Sequence, residues 1–429
     1  MNINLRLFLA YRVFSRMYFH LPILFLLFWS LQITYVMATV LLAAYSAAST
    51  VASDFAPRLS RMMSLGSVVV LGEALKVFGL VLLILGTMPG DSSLPLLMAG
   101  QLIGGAGFSI ALSADGSLLR QVAVGMNQQL LGAIQAKAQS WMFIATLAAG
   151  FIGGILYDHQ PHWSLYAGIF ANCIALVMVA LIIQNLTGAE KTKEALAGPP
   201  SGIQAPEAPL QLDQMQATWV GFYSITRAFA LAPFIGLLPL HFALQQVDPY
   251  LFGIVLGIFT LGGFLVALYG APLLARLGLK GTLVSFCGII TSLGMFAASG
   301  FLESLGVPYF TTSLIGISLL GIAAGAIRPS VMSCLDLSNL SPVQKMSVFS
   351  SMERFFGYLC ASLLLCFGLI VESFSITATF TLTIVLLLLT LIVGLLWLKI
   401  TYSKPRQLAV ASVSMRSLSG SKNFSMDRP

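Results

Sequence analysis

Charge is scarce in this chain. Of its 429 residues only 9% are Asp, Glu, Lys or Arg, whereas soluble domains carry about 25%. That scarcity excludes a soluble globular domain. The apolar runs also lack the alternation over roughly 10 residues that marks strands of a membrane barrel. Signature motifs of several chemistries are missing: there is no HExxH, no G-x-S-x-G and no GxxxxGK[ST]. The chain therefore reads as no enzyme, and as no ATP-driven pump by itself. Its five cysteines, Cys173, Cys287, Cys334, Cys360 and Cys366, show no CxxC spacing. They read as small buried hydrophobes, and no metal or other cofactor is implied. No A-x-A-like exit follows the first apolar run, which reads as an uncleaved anchor.

What is present is apolar length. The chain is 58% hydrophobic with a mean hydropathy of +0.92. Twelve apolar segments are expected, near 8–31, 36–57, 64–87, 93–116, 134–156, 163–184, 217–240, 250–275, 281–301, 309–333, 346–370 and 375–399. Each is close to the ~20 residues of a membrane-spanning helix. Turn-forming clusters separate them, such as 87–95 (TMPGDSSLP) and 245–249 (QQVDP).

The few charges are sorted by side. Arg6, Arg12 and Arg16 lie at the start, Arg58 and Arg61 after segment 2, Arg120 and Lys137 after segment 4, and Arg276 and Lys280 after segment 8. The alternate loops hold Asp91, Asp158, Asp248, Glu303 and Glu372 but no Lys or Arg. By the positive-inside rule both termini are cytoplasmic, in a cell inner membrane. The net charge of +7 is then a topology signal, and nucleic acid is not an expected partner.

Segment 185–216 holds four prolines and mixed charge and reads as a cytoplasmic linker. It divides the chain into six-helix bundles over 1–184 and 217–399, with 400–429 as a disordered basic tail. The halves also repeat. Ala56-Pro57-Arg58-Leu59-Ser60-Arg61 aligns with Ala271-Pro272-Leu273-Leu274-Ala275-Arg276 at an offset of 215 residues. The same offset pairs Arg12 with Arg227 and Tyr35 with Tyr250. Two parallel halves about an axis along the membrane normal follow.

Six plus six helices, the linker and the basic loops after segments 2 and 8 resemble the major facilitator superfamily. Its loop signature G-x-L-A-D-R-x-G-R-R falls on 53–63, where Leu59 and Arg61 match, or Asp54 and Arg58 in a shifted register. The second copy matches through Leu273, Arg276, Gly278 and Lys280. Gln101 stands where proton-coupled members carry Arg in R-x-x-x-G-x-G, followed by Gly105 and Gly107. Ala149-Gly150-Phe151-Ile152-Gly153-Gly154 partly matches the antiporter motif G-P-x-x-G-G. The start, YRVFSRMYFHLP, looks like bacterial exporter-type members, some linked to siderophores.

The resemblance implies a cavity lined by helices 1, 4, 7 and 10, here carrying Arg12, Arg16, His20, Gln101, Asp115, Arg227 and Arg328 as substrate-binding candidates. Asp54, Arg58, Arg61, Arg276 and Lys280 become loop and gating candidates, and Glu353 and Arg354 coupling candidates. The cavity would be net cationic. Arg12, Arg16 and His20 recur every four residues, along one face of a continuous helix. If that helix starts near Phe8, Arg16 lies roughly 12 Å deep. If it starts near Met17, and segment 7 near Ala228, the arginines stay at the headgroups. Glu73 and Lys76 read as an i, i+3 structural pair. Asp158, His159 and His162 read as a solvated loop rather than a metal site.

The function so implied is secondary active transport by alternating access of a small organic, anionic solute such as a carboxylate or siderophore. A monomer in the bilayer, with a proton as one candidate coupling ion, would suffice. Multidrug efflux, which favours an apolar and aromatic cavity, is the alternative. Lipid translocation and non-transporting sensing are readings from other classes.

Overall fold

The structure is a computed structural model that describes residues 3–88, 93–123, 128–194, 213–335 and 342–420. Among these residues there is no strand, and eleven helices are long and apolar enough to cross a membrane. The protein is an all-helical, multi-pass membrane protein.

The first crossing is broken rather than continuous. Helix α1 (Ile3–Phe14) ends well before α2 (Leu24–Ser30), and a 3-10 turn at Leu21–Ile23 introduces α2. Pro22 at the start of that turn lacks the N–H a continuing helix would need. The break frees backbone carbonyls, and other helices satisfy them. Lys76 Nζ donates to Ser15 O at 2.9 Å, and Thr146 Oγ1 to Arg16 O at 3.1 Å. Buried backbone at a helix break persists only with such partners. Arg16 and His20 therefore do not continue the face of α1 that carries Arg12. This corrects the continuous helix inferred from four-residue spacing.

The remainder of the first half is α3 (Tyr35–Met62), α4 (Leu65–Gly86), α5 (Leu94–Val122), α6 (Gln128–His159) and α7 (Trp163–Glu194). The second half opens with α8 (Gln214–Ala232), started by an Asp213–Gln216 capping box. A π-helical turn at Pro233–Leu237 joins α8 to α9 (Leu238–Leu244). Then come α10 (Pro249–Leu265), a second π turn at Val266–Gly270, α11 (Ala271–Leu277), α12 (Leu279–Ala297) and α13 (Ser299–Ser304). Helices α14 (Tyr309–Cys334), α15 (Pro342–Ser373) and α16 (Ile376–Gly420) complete the half. Where the sequence reads as a disordered tail from residue 400, α16 continues as helix to Gly420. Most of the expected linker lies outside the described residues. Only Cys360 of the five cysteines is buried in the protein; Cys173, Cys287 and Cys366 sit on the outer surface of the helices. An apolar bilayer accounts for their apolar neighbours in sequence without burial in the protein.

The internal repeat is visible in backbone detail. Gln32 and Gln246 both take left-handed conformations, at φ 58° and 53°, directly after α2 and α9. The next N–H donates back to the helix in each half, Ile33 to Phe28 O and Val247 to Phe242 O. Close helix approach repeats too. A Cβ on Gly105 would lie 2.3 Å from Tyr45 O, and one on Gly321 would lie 2.3 Å from Phe259 O.

The halves meet along two seams. Helix α3 runs against α15, where Ser46 Oγ donates to Gly357 O at 3.2 Å. Helix α6 runs against α10, where a Cβ on Gly253 would lie 2.4 Å from Gly150 O. At the end of the bundle away from α1, α2 packs on α9, and Tyr35 Oη donates to Gly236 O at 3.3 Å.

Candidate functional site

A cavity of about 280 Å³ lies between the halves. The first half contributes Tyr18, Leu21, Pro22 and Phe25 from the broken crossing, Leu42 from α3, and Met142, Phe143 and Thr146 from α6. Across from them stand Leu231, Phe234, Leu238 and Phe242, with Phe252, Val255, Phe259 and Thr260 from α10. The rings of Phe234 and Phe259 stack at 4.0 Å between centroids. The π turn that starts at Pro233 carries Phe234 into this position.

None of the residues lining this cavity is charged, in contrast to the net cationic lining expected. Its few hydroxyls are already engaged. Thr146 donates to Arg16 O and Met142 O, Thr260 to Leu256 O, and Tyr18 Oη accepts from Arg16 Nη1 at 2.7 Å. The lining also comes from helical crossings 1, 2, 5, 7 and 8 rather than 1, 4, 7 and 10. Glycines in α5 and α14 draw those helices back into their own halves. Gly79 and Gly104 bring α4 and α5 into backbone contact, and Gly263 and Gly325 do the same for α10 and α14. Gln101, Asp115 and Arg328 are thereby off the cavity wall.

Arg12, Arg16 and Asp115 do come together, inside the first half. Arg12 Nη2 lies 2.5 Å from Asp115 Oδ1, and Arg16 Nη2 lies 3.6 Å from Asp115 Oδ2. Asp115 is almost wholly buried, its side chain 2% exposed. Beside it Glu73 accepts from Ser15 Oγ at 2.5 Å, from Tyr11 Oη at 3.5 Å and from Lys76 Nζ at 2.8 Å. Glu73 and Lys76 thus form the pair their spacing suggests, and they also fasten the broken crossing to α4. Phe108 lies under the Arg16 guanidinium at 5.1 Å, and Tyr18 packs beside Phe108 at 6.2 Å.

In the second half Arg227 Nη1 contacts Glu353 Oε1 and Oε2 at 2.5 and 2.6 Å, and Tyr223 Oη donates to the same carboxylate at 2.8 Å. Arg227 also bonds Tyr223 and stacks over Phe356 at 4.4 Å. This pair is half-exposed, with Glu353 at 46%. The next residue of α15 reaches the other way. Arg354 Nε lies 3.1 Å from Asp54 Oδ1 of α3, across the seam between halves.

The other candidates are dispersed. His20 packs over Gly168 with its Nδ1 unpartnered, and Gln101 is buried with Oε1 unpartnered. Arg328 is exposed, close enough to Tyr223 to act on it electrostatically. Arg58 stacks on Phe55 at 5.6 Å; Arg276 and Lys280 are exposed. The Arg61 side chain lies outside the described residues. His162 Nε2 bonds Thr87 Oγ1 at 2.9 Å, while Asp158 and His159 are exposed. Among the described residues no three His, Cys, Asp or Glu gather as metal ligands. Sequence reasoning missed Tyr18, Tyr223 and the Phe234–Phe259 stack. Only Tyr223 carried a signal, one helical turn before Arg227.

No protein-family model matches the chain, and no curated protein matches it in sequence. Solved structures do match in shape. The nucleoside transporter NupG is 16% identical with a TM-score of 0.70, covering 93% of this chain and 100% of that one. A bacterial homologue of the iron transporter ferroportin, in an inward-facing state, is 13% identical with a TM-score of 0.67, over 92% and 99% of the two chains. A POT family transporter in complex with 5-aminolevulinic acid is 12% identical with a TM-score of 0.65, over 92% and 96%. The chain has the major facilitator fold.

Proposed function

We propose that this protein is a secondary active transporter that moves a small organic solute across the cytoplasmic membrane by alternating access. The observation that carries this reading is the cavity on the seam between two pseudo-symmetric halves, the place where rocking halves expose a site to each side in turn. The shared fold of transporters for nucleosides and peptides supports it. Both termini then lie in the cytoplasm, as the basic residues in α1 and at the ends of α3 and α11 argue, and the protein works as a monomer.

The uncharged wall favours a solute with an apolar body. A polycarboxylate such as a citrate-type siderophore would find no partner for its several charges there, and desolvating them is costly. The multidrug reading shares the apolar, aromatic lining. Asp115, held between Arg12 and Arg16 inside the first half, is the candidate for coupling to an ion.

Counterflow in proteoliposomes tests the proposal, with a panel of aromatic acids, lipophilic neutral compounds and lipids. Saturable counterflow of at least one non-lipid solute, weakened by Phe234→Ala, is expected. A correctly folded preparation that exchanges none of the panel, or only lipids, refutes it.

A further inference from the structure

The cavity wall is uncharged, but one of its residues leads directly to charge. The Tyr18 hydroxyl is held by Arg16, which is 6% exposed. Behind Tyr18, Arg16 Nε and Arg12 Nε are both buried without a hydrogen-bond partner. The carboxylate nearest them is shared and incompletely used. Asp115 Oδ1 engages Arg12, while Oδ2 is unpartnered and 3.6 Å from Arg16, too far for a hydrogen bond. Two guanidiniums thus face one carboxylate, and the adjacent Glu73 and Lys76 cancel each other. One positive charge is left over, with unmet N–H groups, one hydrogen bond behind the Tyr18 wall of the apolar chamber. Buried donors without partners are destabilising, and a guanidinium fork is shaped for a carboxylate.

We propose that the cavity binds an amphipathic monoanion. Its apolar body, about the size of a fused ring pair, lies against Phe234 and Phe259, and its single acid group is received by Arg16 beside Tyr18. This deepens the transport proposal and rests on reading the cavity as the solute site. The charge balance explains the preference. With a monoanion bound, Arg12, Arg16, Asp115 and the ligand sum to zero; a neutral or cationic ligand leaves the surplus charge buried. Soluble aromatic acids and membrane-borne fatty acids share this chemistry.

Calorimetric binding to the full-length protein in detergent tests the proposal, with 1-naphthoate, 1-naphthamide, 1-naphthylmethylammonium and laurate as probes. Naphthoate is expected to bind at least about tenfold more tightly than the amide, the scale of one charge-assisted hydrogen bond. Arg16→Gln should bring acid and amide within about threefold while keeping amide binding. Arg16→Lys, which keeps the positive charge, should restore much of the acid preference lost in Arg16→Gln, an effect a fold defect at this position would not produce. Tighter binding of laurate than naphthoate supports the acid site and assigns its ligand to the bilayer. Equal or tighter binding of the amide or the ammonium overturns the proposal. So does an acid preference that survives in Arg16→Gln or is no greater in Arg16→Lys than in Arg16→Gln, or the failure of every probe to bind. Acid-selective binding without counterflow in proteoliposomes would refute transport and leave the acid site standing.

Discussion

Replacing Asp115 by Asn separates the buried charges from the surface ones. Asp115 is 2% exposed and faces two guanidiniums at 2.5 and 3.6 Å. The amide keeps the shape and removes the anion, leaving Arg12 and Arg16 without a carboxylate at Asp115. Removing one partner of a buried pair costs about 3–5 kcal/mol. With about 2–4 °C lost per kcal/mol for a domain of 150–250 residues, the half containing residue 115 should melt roughly 6–20 °C lower. Asp54→Asn breaks the Arg354 pair, whose side chains are 38% and 41% exposed. Its cost should stay within about 1 kcal/mol. Thermal unfolding in detergent, followed through the intrinsic fluorescence of the five tryptophans, reads both variants. Adding Arg12→Gln to Asp115→Asn should recover part of the loss, since one orphaned charge is removed, and the double-mutant cycle isolates the coupling. An Asp115→Asn protein that melts within 2 °C of its parent, or no lower than Asp54→Asn, would refute the reasoning.

Further outcomes follow from named contacts. A Cβ on Gly153 would lie 1.8 Å from Phe19 O, so Gly153→Ala should sharply reduce the yield of folded protein on size exclusion. Gly116→Ala, with nothing within 4 Å, should leave it unchanged. Gly253→Ala places a methyl 2.4 Å from Gly150 O and 2.7 Å from Phe151 Cα; counterflow should fall severalfold, while Gly294→Ala, in open space, has no effect. Arg354→Glu puts like charges across the seam and should slow counterflow, and Asp54→Arg in the same protein should restore it. Arg227→Gln removes the partner of a half-exposed carboxylate, so a melting change under about 1 kcal/mol is expected; a loss as large as that of Asp115→Asn would show that exposure does not set the cost.

The fold was legible because a bilayer imposes length and polarity on every crossing, and both are written as uninterrupted apolar runs. The exception is instructive. Residues 8–31 are apolar enough to read as one helix, yet the break at Ser15–His20 depends on Lys76, Thr146 and Gly153. Pro22 is the local sign of an interruption, but these three residues stand far away in sequence, so the extent of the break is not announced locally. The site was legible residue by residue but not in its pairings. Arg12 and Asp115 were both singled out, as were Asp54 and Arg354, yet which cation meets which acid is decided by helix packing. The uncharged cavity was least legible of all. Phe234, Phe259 and Leu231 resemble any other apolar residue of a membrane helix until the partner helix is in place.

The seams between halves carry a mechanical consequence. On α15, Gly357 and Gly368 leave no space for a Cβ against Thr50 and Thr39 of α3, and Gly150 and Gly253 meet backbone to backbone. On the α3–α15 seam threonine side chains sit in the glycine notches and Arg354 pairs with Asp54, whereas between Gly150 and Gly253 backbone meets backbone. The α6–α10 contact is like one face of a bearing: clearance is nearly zero, with no room for added bulk. In such a joint a single added methyl acts as a tooth, wedging the two halves apart while each half keeps its own packing.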